Sequence, residues 1–431
     1  TKILSGTCFR RNGARSRPFC KENLGKSLGI SMSNIKVLIQ ASSRSWAGGR
    51  DICMGLVNGE ITVARTIKRA LEAFPAAQLC LVAPEFDQDG ELGGVIEYVK
   101  DKRLKAFYGF DESPLKRMIA ASIELADNDY IVRIDGIHFC FDVELSQKML
   151  ALALQKKLDC IKLPADFPVH FSSEVFRVGA LRELVKLLDK PELEKFNIHP
   201  KIYFELNRYN YNFEYLRTLP QYSDEYLREC RNLAKDIYDI PRLEVGSKRT
   251  IWADTPSYHY QLALEYLNSN MKVLDIACGN GYGVRMMSTF LAEVHGADLD
   301  PEIINLAKAY THEKNVEYYI EDITNLSFED DSYDAVTCFE TLEHIPEDDC
   351  LKELRRIIRP GGMLVLSTPQ NSYGHIPVNA CHIVEYSLDA LLKLVGRYFL
   401  VVKVIGIKAG TIHSDADPYG TNTVLVCIKP F

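Results

Sequence analysis

Hydrophobic and polar positions follow two alternating patterns in the first half of the chain. Short apolar runs typical of buried strands are separated by stretches in which apolar residues recur at helical spacing. The runs are Ile35–Gln40, Leu79–Ala83 and residues 130–134, and residues 61–73 have helical spacing. Strands that alternate with helices are typical of a largely parallel sheet. We therefore predict an α/β domain over residues 35–206.

The same alternation returns near the C-terminus. Residues 258–267 have helical spacing, and they precede five apolar runs at Lys272–Ile276, 293–297, Val316–Ile320, 334–339 and 363–367. A second doubly wound α/β domain is predicted over residues 258–431. The segment 207–257 is polar and aromatic with helical spacing over 222–237, so we interpret it as a helical connector that also covers the second domain.

Composition narrows the possible partners. The net charge is -7 and no Lys/Arg-rich run is present, which argues against a nucleic-acid partner. No apolar run approaches the roughly 20 residues that span a membrane. Residues 1–34 are basic and irregular, and we expect a solvated arm. No two of the 12 cysteines form a C-x-x-C pair, so we expect a reducing, cytoplasmic location and no structural metal.

A glycine-rich turn follows the first apolar run of the second domain. In the segment DIACGNGYG (residues 275–283), Gly279 and Gly281 can adopt positive φ and leave room for a ligand. Such a turn alone is weak evidence, because NAD-binding sheets use a similar one. A carboxylate at Asp275 suits a cationic ligand group better than an anionic pyrophosphate. Asp298, 19 residues beyond Gly279, ends the next run, where an acid hydrogen-bonds ribose hydroxyls.

Five motifs of this region together resemble the class I methyltransferases, which use S-adenosylmethionine (SAM). They are DIACGNGYG, GADLD, DSYDAVTCFETLEHI, LRRIIRPGGMLVLSTP and CHIVEYSLDALLKL, in that order. The nearest resemblance is to the group often encoded among surface-polysaccharide and sugar-modifying genes. It implies a Rossmann-like sheet of seven strands whose last two, about 399–405 and 423–429, form an antiparallel pair.

The resemblance also implies functional residues. The implied SAM ligands are Asp275, Gly279, Gly281, Asp298, Asp322 and Ile323, with Glu340 lining the cofactor pocket. A hydroxyl acceptor must lose its proton, so a general base is expected near the methyl group. His344 is the first candidate, and His382 with Glu385 is the second. The alternative for His344 is a structural histidine bonded to a backbone carbonyl.

Three segments of the first domain resemble the cytidylyltransferases that activate acidic sugars, of the spore-coat-polysaccharide type. They are KVLIQA (36–41), YGFDESPLKR (108–117) and IVRIDG (131–136). The resemblance implies CTP and Mg²⁺, with Asp135 and Asp142 as the candidate metal ligands. The sequence departs from the family at Ile137, where the metal-binding aspartate is expected. It departs again in the phosphate turn, which here contains Ser42 and Gly48-Gly49-Arg50. The domain is either a working nucleotidyltransferase or a fold retained for substrate docking.

Together these patterns predict two doubly wound domains, nucleotidyltransferase-like and then methyltransferase, joined by a helical connector. The predicted activity is SAM-dependent O-methylation of a sugar, nucleotide sugar or glycan precursor. Two alternatives stay open. One is a bifunctional enzyme with active CTP-dependent nucleotidyl transfer, and the other is a SAM-binding scaffold without catalysis.

Overall fold

The computed structural model describes residues 35–44, 51–101, 103–238, 254–345, 349–374, 376–377, 379, 381–414 and 417–431. The predicted basic arm (1–34), the Gly48-Gly49-Arg50 turn and residues 239–253 of the predicted connector lie outside this part of the chain. The described residues form two compact units. Unit 1 comprises residues 35–43, 52–163 and 169–237, and unit 2 comprises 44, 51, 164–168 and the described residues from 238 onward.

Unit 1 contains nine strands and seven helices. The strands are β1 (Ile35–Gln40), β2 (Leu56–Val57), β3 (Glu60–Ile61), β4 (Leu79–Ala83), β5 (Lys105–Tyr108), β6 (Tyr130–Asp135), β7 (Cys160–Lys162), β8 (Glu174–Arg177) and β9 (Phe213–Tyr215). The helices are α1 (Thr62–Ala73), α2 (Gly93–Val99), α3 (Pro114–Ala120), α4 (Val143–Lys156), α5 (Val178–Leu187), α6 (Pro200–Leu206) and α7 (Asp224–Tyr238). Short 3₁₀ helices lie at Ile52–Met54, Ala76–Gln78, Glu85–Asp87, Val169–Phe171 and Pro191–Asn197.

Seven of these strands form one mixed sheet in the order β5-β4-β1-β6-β8-β7-β9. Strands β5, β4, β1 and β6 run parallel, and β8 runs antiparallel to both β6 and β7. The predicted strands at Ile35–Gln40 and Leu79–Ala83 are confirmed with the same bounds. Their apolar residues are buried because the sheet is covered on both faces.

Unit 2 contains eight strands and five helices. The strands are β10 (Lys272–Ile276), β11 (Glu293–Asp298), β12 (Val316–Ile320), β13 (Tyr333–Phe339), β14 (Ile358–Pro369), β15 (Leu400–Lys408), β16 (Ile412–His413) and β17 (Asn422–Ile428). The helices are α8 (Asp254–Leu264), α9 (Tyr282–Ser288), α10 (Pro301–Tyr310), α11 (Asp349–Ile357) and α12 (Leu388–Val395), with a 3₁₀ turn at Leu342–His344.

The sheet of unit 2 has the order β12-β11-β10-β13-β14-β17-β15-β16. The five strands β12, β11, β10, β13 and β14 run parallel to one another. Strand β17 lies between β14 and β15 and runs antiparallel to both. The prediction of a Rossmann-like sheet with a final antiparallel pair is therefore confirmed. The two-residue strand β16 is an addition to the seven strands expected.

Strand β14 begins earlier than the sequence predicted. The apolar run predicted a start at residue 363, but residues 359–362 already lie inside the strand, and Ile358 pairs with Tyr333. The pairing shifts register between Tyr333 and Ala335, so the glycines accommodate an irregularity within the ladder. Gly361 has φ +73° and donates its N–H to the Lys429 carbonyl at 2.9 Å.

The described cysteines are mostly buried. Ten cysteines lie in this part of the chain, all are free thiols, and Cys381 is the exposed one among them. Over the same residues, none of the helices has both the length and the apolar character needed to cross a bilayer.

Helix α8 packs on the glycine-rich turn through Tyr260, which lies in the apolar cluster that also contains Val284 and Tyr318. A Cβ at Gly283 would fall inside the Tyr260 ring, and one at Gly281 would collide with Tyr318. At both positions the neighbouring tyrosine ring leaves no room for a side chain, so only glycine fits.

Replacing Gly283 with Ala should lower the thermal midpoint of unit 2 because the Tyr260 ring must move. A destabilisation of about 1–3 kcal/mol is expected for such overpacking, and calorimetry measures it. The matched control is Gly94→Ala in helix α2, where a Cβ meets nothing within 4 Å. That change should be neutral or slightly stabilising. Equal destabilisation by both changes would show that the Tyr260 contact is not the cause.

Candidate functional site

The glycine-rich turn between β10 and α9 has an unusual backbone. Ala277, Gly279 and Gly281 all have positive φ, at 58°, 54° and 73°. A Cβ placed on Gly279 meets nothing within 4 Å, in contrast to Gly281 and Gly283. Of the three glycines, Gly279 is therefore the one that leaves open space at the sheet edge, where a ligand can approach the backbone.

Asp275 is buried at the end of β10, with 1% of its surface exposed. Its Oδ2 accepts a hydrogen bond from the Tyr260 hydroxyl at 2.9 Å, and its Oδ1 accepts one from Thr337 Oγ1 at 2.7 Å. Burial raises the pKa of Asp275 from 3.8 to about 7, against the effect of these two bonds. The predicted cofactor ligand thus lies beneath the surface, and each oxygen retains a second lone pair for a ligand or water.

Asp298 connects the end of β11 to the glycine-rich turn. Its Oδ2 accepts from the Gly279 N–H at 2.9 Å, and its Oδ1 accepts from the Asp300 N–H at 3.1 Å. The structure therefore brings together the predicted ribose-binding acid and the glycine with open space.

Asp322 and Ile323 follow β12 at the same edge of the sheet. Asp322 is exposed, and its Oδ1 accepts from the N–H and the hydroxyl of Thr324 at 2.9 and 2.7 Å. These two bonds lower the pKa of Asp322. Ile323 is partly buried against the apolar cluster that contains Leu326 and Leu342.

Glu340 directly follows β13 and has a strained backbone conformation, with φ +49°. Its Oε1 accepts from Ser367 Oγ at 2.7 Å, and its Oε2 accepts from Asn422 Nδ2 at 2.5 Å. Ser367 Oγ also lies 3.4 Å from Nδ1 of His259, a buried histidine on α8 whose pKa is lowered by burial. Among the described residues, Nε2 of His259 has no hydrogen-bond partner. His259 could not be identified from the sequence, because its neighbours come from distant strands.

The three candidates for acceptor chemistry lie close together. The rings of His344 and His382 have centroids 5.2 Å apart in an edge-to-face arrangement. His344 is exposed and its Nδ1 lies 3.1 Å from the Cys381 carbonyl oxygen. This carbonyl contact is the one expected of a structural histidine, and it also fixes the ring for a functional role.

Glu385 holds His382 in place. Nδ1 of His382 lies 2.9 Å from Glu385 Oε1, and Glu385 Oε2 accepts from Asn371 Nδ2 at 2.6 Å. Burial opposes ionisation of Glu385, but the bonds from His382 and Asn371 outweigh it and lower the pKa. Nε2 of His382 lies 3.2 Å from Asn379 Nδ2. The pair is an imidazole oriented by a carboxylate, as general bases often are.

Glu343 is a residue of this cluster that the sequence interpretation left out. It is buried, its Oε2 accepts from Thr368 Oγ1 at 2.8 Å, and its carbonyl accepts from the N–H groups of Ile383 and Val384. Burial, with the charge of Glu340 next in importance, raises the pKa of Glu343 to about 9. The sequence feature that could have identified Glu343 is its position directly before the candidate base His344. Both residues lie on a short 3₁₀ turn.

The candidate metal ligands of unit 1 have different partners. Asp142 caps helix α4, with Oδ1 accepting from the Leu145 N–H at 3.0 Å, and its Oδ2 accepts from the Tyr222 hydroxyl at 2.8 Å. Asp135 lies 3.6 Å from the Arg133 guanidinium, and burial raises its pKa. Arg133 in turn forms a buried ion pair with Glu174 at 2.9 Å. This buried charge pair was not identified from the sequence.

A matching family model and curated relatives cover the methyltransferase region. Residues 274–366 match the model described as "Methyltransferase domain". The ubiquinone biosynthesis O-methyltransferase of Xanthomonas oryzae pv. oryzae (strain PXO99A) is 35% identical over 114 residues, which are 24% of this chain and 48% of that protein. Its counterpart from Xanthomonas campestris pv. campestris (strain B100) is 37% identical over 127 residues, 28% and 53% of the two chains. This chain spans about half the length of these relatives.

Solved methyltransferase structures also align with part of the chain. A SAM-dependent methyltransferase from Methanosarcina mazei has a TM-score of 0.33 and 20% identity, covering 39% of this chain and 97% of its own. One from Mesorhizobium loti has a TM-score of 0.34 and 16% identity, covering 41% and 100%. The family match supports the predicted methyltransferase domain over residues 274–366, and the curated relatives are similar to part of the same region.

The raised pKa of Asp275 gives a pH-dependent prediction. Because the pKa of Asp275 is higher in the folded state than in the unfolded state, its protonation stabilises the folded protein at low pH. This stabilisation is lost as the pH rises through about 7. Asp275→Asn should therefore gain stability relative to the wild type between pH 5 and pH 8, by about 2–3 kcal/mol. Calorimetry measures the difference in stability from the unfolding transition of unit 2, which is recognised in the wild type as the transition that SAM shifts.

Asp334→Asn is the matched control. The Asp334 carboxylate accepts from the Lys272 N–H at 2.7 Å and from Arg359, and its pKa is lowered although burial acts against this. Replacing Asp334 with Asn should destabilise unit 2 by a similar amount at pH 5 and at pH 8, because the Asp334 carboxylate is ionised at both pH values. A parallel pH response of the two variants would contradict the assignment for Asp275.

Proposed function

We propose that this protein is a SAM-dependent O-methyltransferase that modifies a hydroxyl of a sugar, nucleotide sugar or glycan precursor. The observation that carries the proposal is the placement of two sets of side chains at one edge of the unit 2 sheet. Asp298 and Gly279 form the cofactor side, and the cluster of Glu343, His344 and His382 forms the acceptor side. Strand β13 links them, since its Thr337 bonds Asp275 and Glu340 directly follows the same strand.

The cofactor side is built for a ligand with a cationic part. SAM, when bound, supplies a methyl group on a positively charged sulfur. Gly279 offers open space beside its backbone, and Asp298 is held at that backbone by its Oδ2. We infer that Asp298 and Asp322 bind the ribose and the adenine amino group, while Ile323 packs on the ring. Asp275, Gly281 and Glu340 support this pocket from beneath.

The acceptor side can remove a proton from a hydroxyl. Glu385 orients His382, and the Cys381 carbonyl orients His344, so each ring directs its Nε2 lone pair away from its anchor. A correctly placed general base contributes typically 10²–10⁴-fold to a rate. Transfer to oxygen is also supported by the names of the relatives, which are O-methyltransferases. The sugar class is supported by the sequence resemblances of both domains.

We infer further that unit 1 is a nucleotidyltransferase-like domain that binds the acceptor's nucleotide or sugar portion and does not transfer nucleotides. The partners of the two candidate metal ligands support this. Asp142 serves as a helix cap and accepts from Tyr222, and Asp135 lies against Arg133. Release of pyrophosphate from CTP and an acidic sugar, in the presence of Mg²⁺, would instead establish the bifunctional enzyme.

Asp298→Ala should abolish SAM binding measured by titration calorimetry, with a loss of at least about 100-fold in affinity. The expected loss reflects the charge-assisted hydrogen bonds to the ligand and the freed Gly279 N–H, together worth about 3 kcal/mol or more. Asp300→Ala is the matched control, because Asp300 caps helix α10 two residues away. It should lower stability while keeping SAM affinity. Wild-type affinity in Asp298→Ala would remove the cofactor assignment.

His344→Ala should leave SAM affinity unchanged and lower the turnover of labelled methyl groups by about 10²-fold or more. The assay uses labelled SAM with a panel of nucleotide sugars and glycans, read by mass spectrometry. The control is His312→Ala, an exposed histidine elsewhere in unit 2. If SAM binds tightly and no member of the panel accepts a methyl group, the scaffold alternative is favoured.

A further inference from the structure

We propose that unit 1 contains a binding pocket for an anionic sugar at one edge of its sheet. The pocket has a volume of about 650 Å³, which is within the range of about 300–1,000 Å³ typical of small-molecule sites. Strand β9 is the last strand of the sheet order, and the pocket lies against this strand and the residues that follow it. Its walls also include Leu152 and Lys156 of helix α4 and Arg208, which lies beyond helix α6.

The candidate metal ligands of unit 1 do not belong to this pocket. Asp135 and Asp142 are not among the described residues that line it. The sugar part of the assignment rests on the proposed function, in which unit 1 binds the nucleotide or sugar portion of the acceptor. The pocket adds the residues that bind this portion and the requirement for an anionic group.

Positive charge exceeds negative charge on the pocket walls. Three cationic side chains and one carboxylate line the pocket, namely those of Lys156, Arg208, Arg217 and Glu214. Nζ of Lys156 lies 2.7 and 2.8 Å from the two carboxylate oxygens of Glu214, so these two charges compensate each other. The two arginines carry the excess, although the whole chain has a net charge of -7. A local excess of positive charge attracts an anion.

Arg217 is the cation that we expect to bind the anionic group. Its side chain is exposed, and within the described ranges it makes no hydrogen bond or ion pair with another side chain. Its main chain is fixed, since the Arg217 carbonyl accepts a hydrogen bond from the Leu219 N–H at 3.1 Å. A guanidinium group presents parallel N–H donors that match two oxygens of a carboxylate or a phosphate. The ligand therefore gains charge-assisted hydrogen bonds without breaking an ion pair of Arg217.

Two aromatic rings form the apolar part of the wall. Phe213 and Tyr215 are two residues apart on β9 and so point to the same face of the strand. Both are partly buried, and their ring centroids are 5.0 Å apart at an interplanar angle of 85°. The C–H groups on one face of a sugar ring are apolar and pack on the π-face of an aromatic ring. The pocket thus offers an apolar surface to a sugar ring and cations to its charged group.

The position of Tyr215 is set by buried partners. Its hydroxyl donates a hydrogen bond to the Glu205 carboxylate, and Nζ of Lys162 lies 5.5 Å from the centroid of its ring. Lys162 and Glu205 are themselves buried and form an ion pair with each other. The Tyr215 ring is therefore held in place before a ligand arrives, which lowers the entropic cost of binding.

These features define the ligand as a sugar that carries a carboxylate or a phosphate group. A neutral sugar would use the aromatic wall without the arginines. A small inorganic anion would use the arginines without the aromatic wall. A charged sugar engages both parts of the pocket at once, so it should bind more tightly than either.

The test is titration calorimetry of the full chain, without SAM, against glucuronic acid and glucose 1-phosphate. At least one of these charged probes should bind saturably, about 10-fold or more tightly than glucose or inorganic phosphate. The probe that binds identifies the anionic group. Because the arginines are exposed, the affinity should fall as the salt concentration rises.

Two variants separate the two parts of the pocket. Arg217→Met should lower the affinity for the charged probe by about 10-fold or more, because it removes the charge and keeps most of the side-chain length. Phe213→Ala should weaken the charged probe and leave the weak binding of inorganic phosphate unchanged. The matched control is Arg103→Met, since Arg103 is an exposed arginine of unit 1 that pairs with Asp101. It should bind the probe as the wild type does, and circular dichroism verifies that each variant is folded.

Three results would overturn the inference. They are the absence of saturable binding of both charged probes to the folded wild type, wild-type affinity in Arg217→Met, and binding of CMP or inorganic phosphate as tight as that of the charged sugars. Methyl transfer measured separately distinguishes this inference from the proposed function. A charged sugar that binds through Arg217 while no acceptor is methylated supports the pocket, and the proposed function then fails alone. Methyl transfer to a glycan by a protein that binds neither charged probe removes the pocket and keeps the function.

Discussion

The carboxylate of Asp275 lies inside unit 2, and two hydroxyl groups compensate for its removal from water. A buried acid costs several kcal/mol unless hydrogen bonds replace its hydration. Tyr260 supplies one hydroxyl from helix α8, and Thr337 supplies the other from strand β13. These bonds tie the helix and the neighbouring strand to the end of β10. The glycine-rich turn follows that strand end directly, so its geometry depends on the same three side chains.

The acidic residues at this edge of the sheet differ in how readily they ionise. Asp275 and Glu343 are buried and reluctant to ionise, whereas Asp322 is exposed and readily ionised. The ionised charge of this edge therefore lies on its exposed acid, whereas burial favours the neutral forms of the two buried carboxyl groups.

Much of the unit 2 fold follows from local sequence patterns. The bounds of β10 agree with its apolar run, because a strand buried on both faces has a near-continuous apolar sequence. The bounds of the edge strand β12 also agree with its run, although Tyr318 is its one buried residue. The start of β14 was missed, since Pro360 and two glycines are typical of a turn. Pairing with β13 overrides that local preference, as tertiary contacts often do.

The site was only partly predictable for a related reason. Asp298 and His382 stand in recognisable motifs, but some contacts that fix them come from more distant residues. Gly279 bonds Asp298, and Asn371 bonds the Glu385 that orients His382. A glycine in the sequence also does not reveal what occupies the space beside it. Gly279 faces open space, whereas Gly281 and Gly283 accommodate tyrosine rings. Only the folded arrangement distinguishes room for a ligand from room for a neighbour.

The backbone bonds from Ile383 and Val384 to the Glu343 carbonyl have an evolutionary consequence. They join the His382 loop to the His344 turn through main-chain atoms, which every amino acid except proline provides. The side chain of Ile383 is 49% exposed and takes no part in this link. Substitutions at such positions can therefore change the exposed surface of this loop while the main-chain bonds keep the two histidines in register.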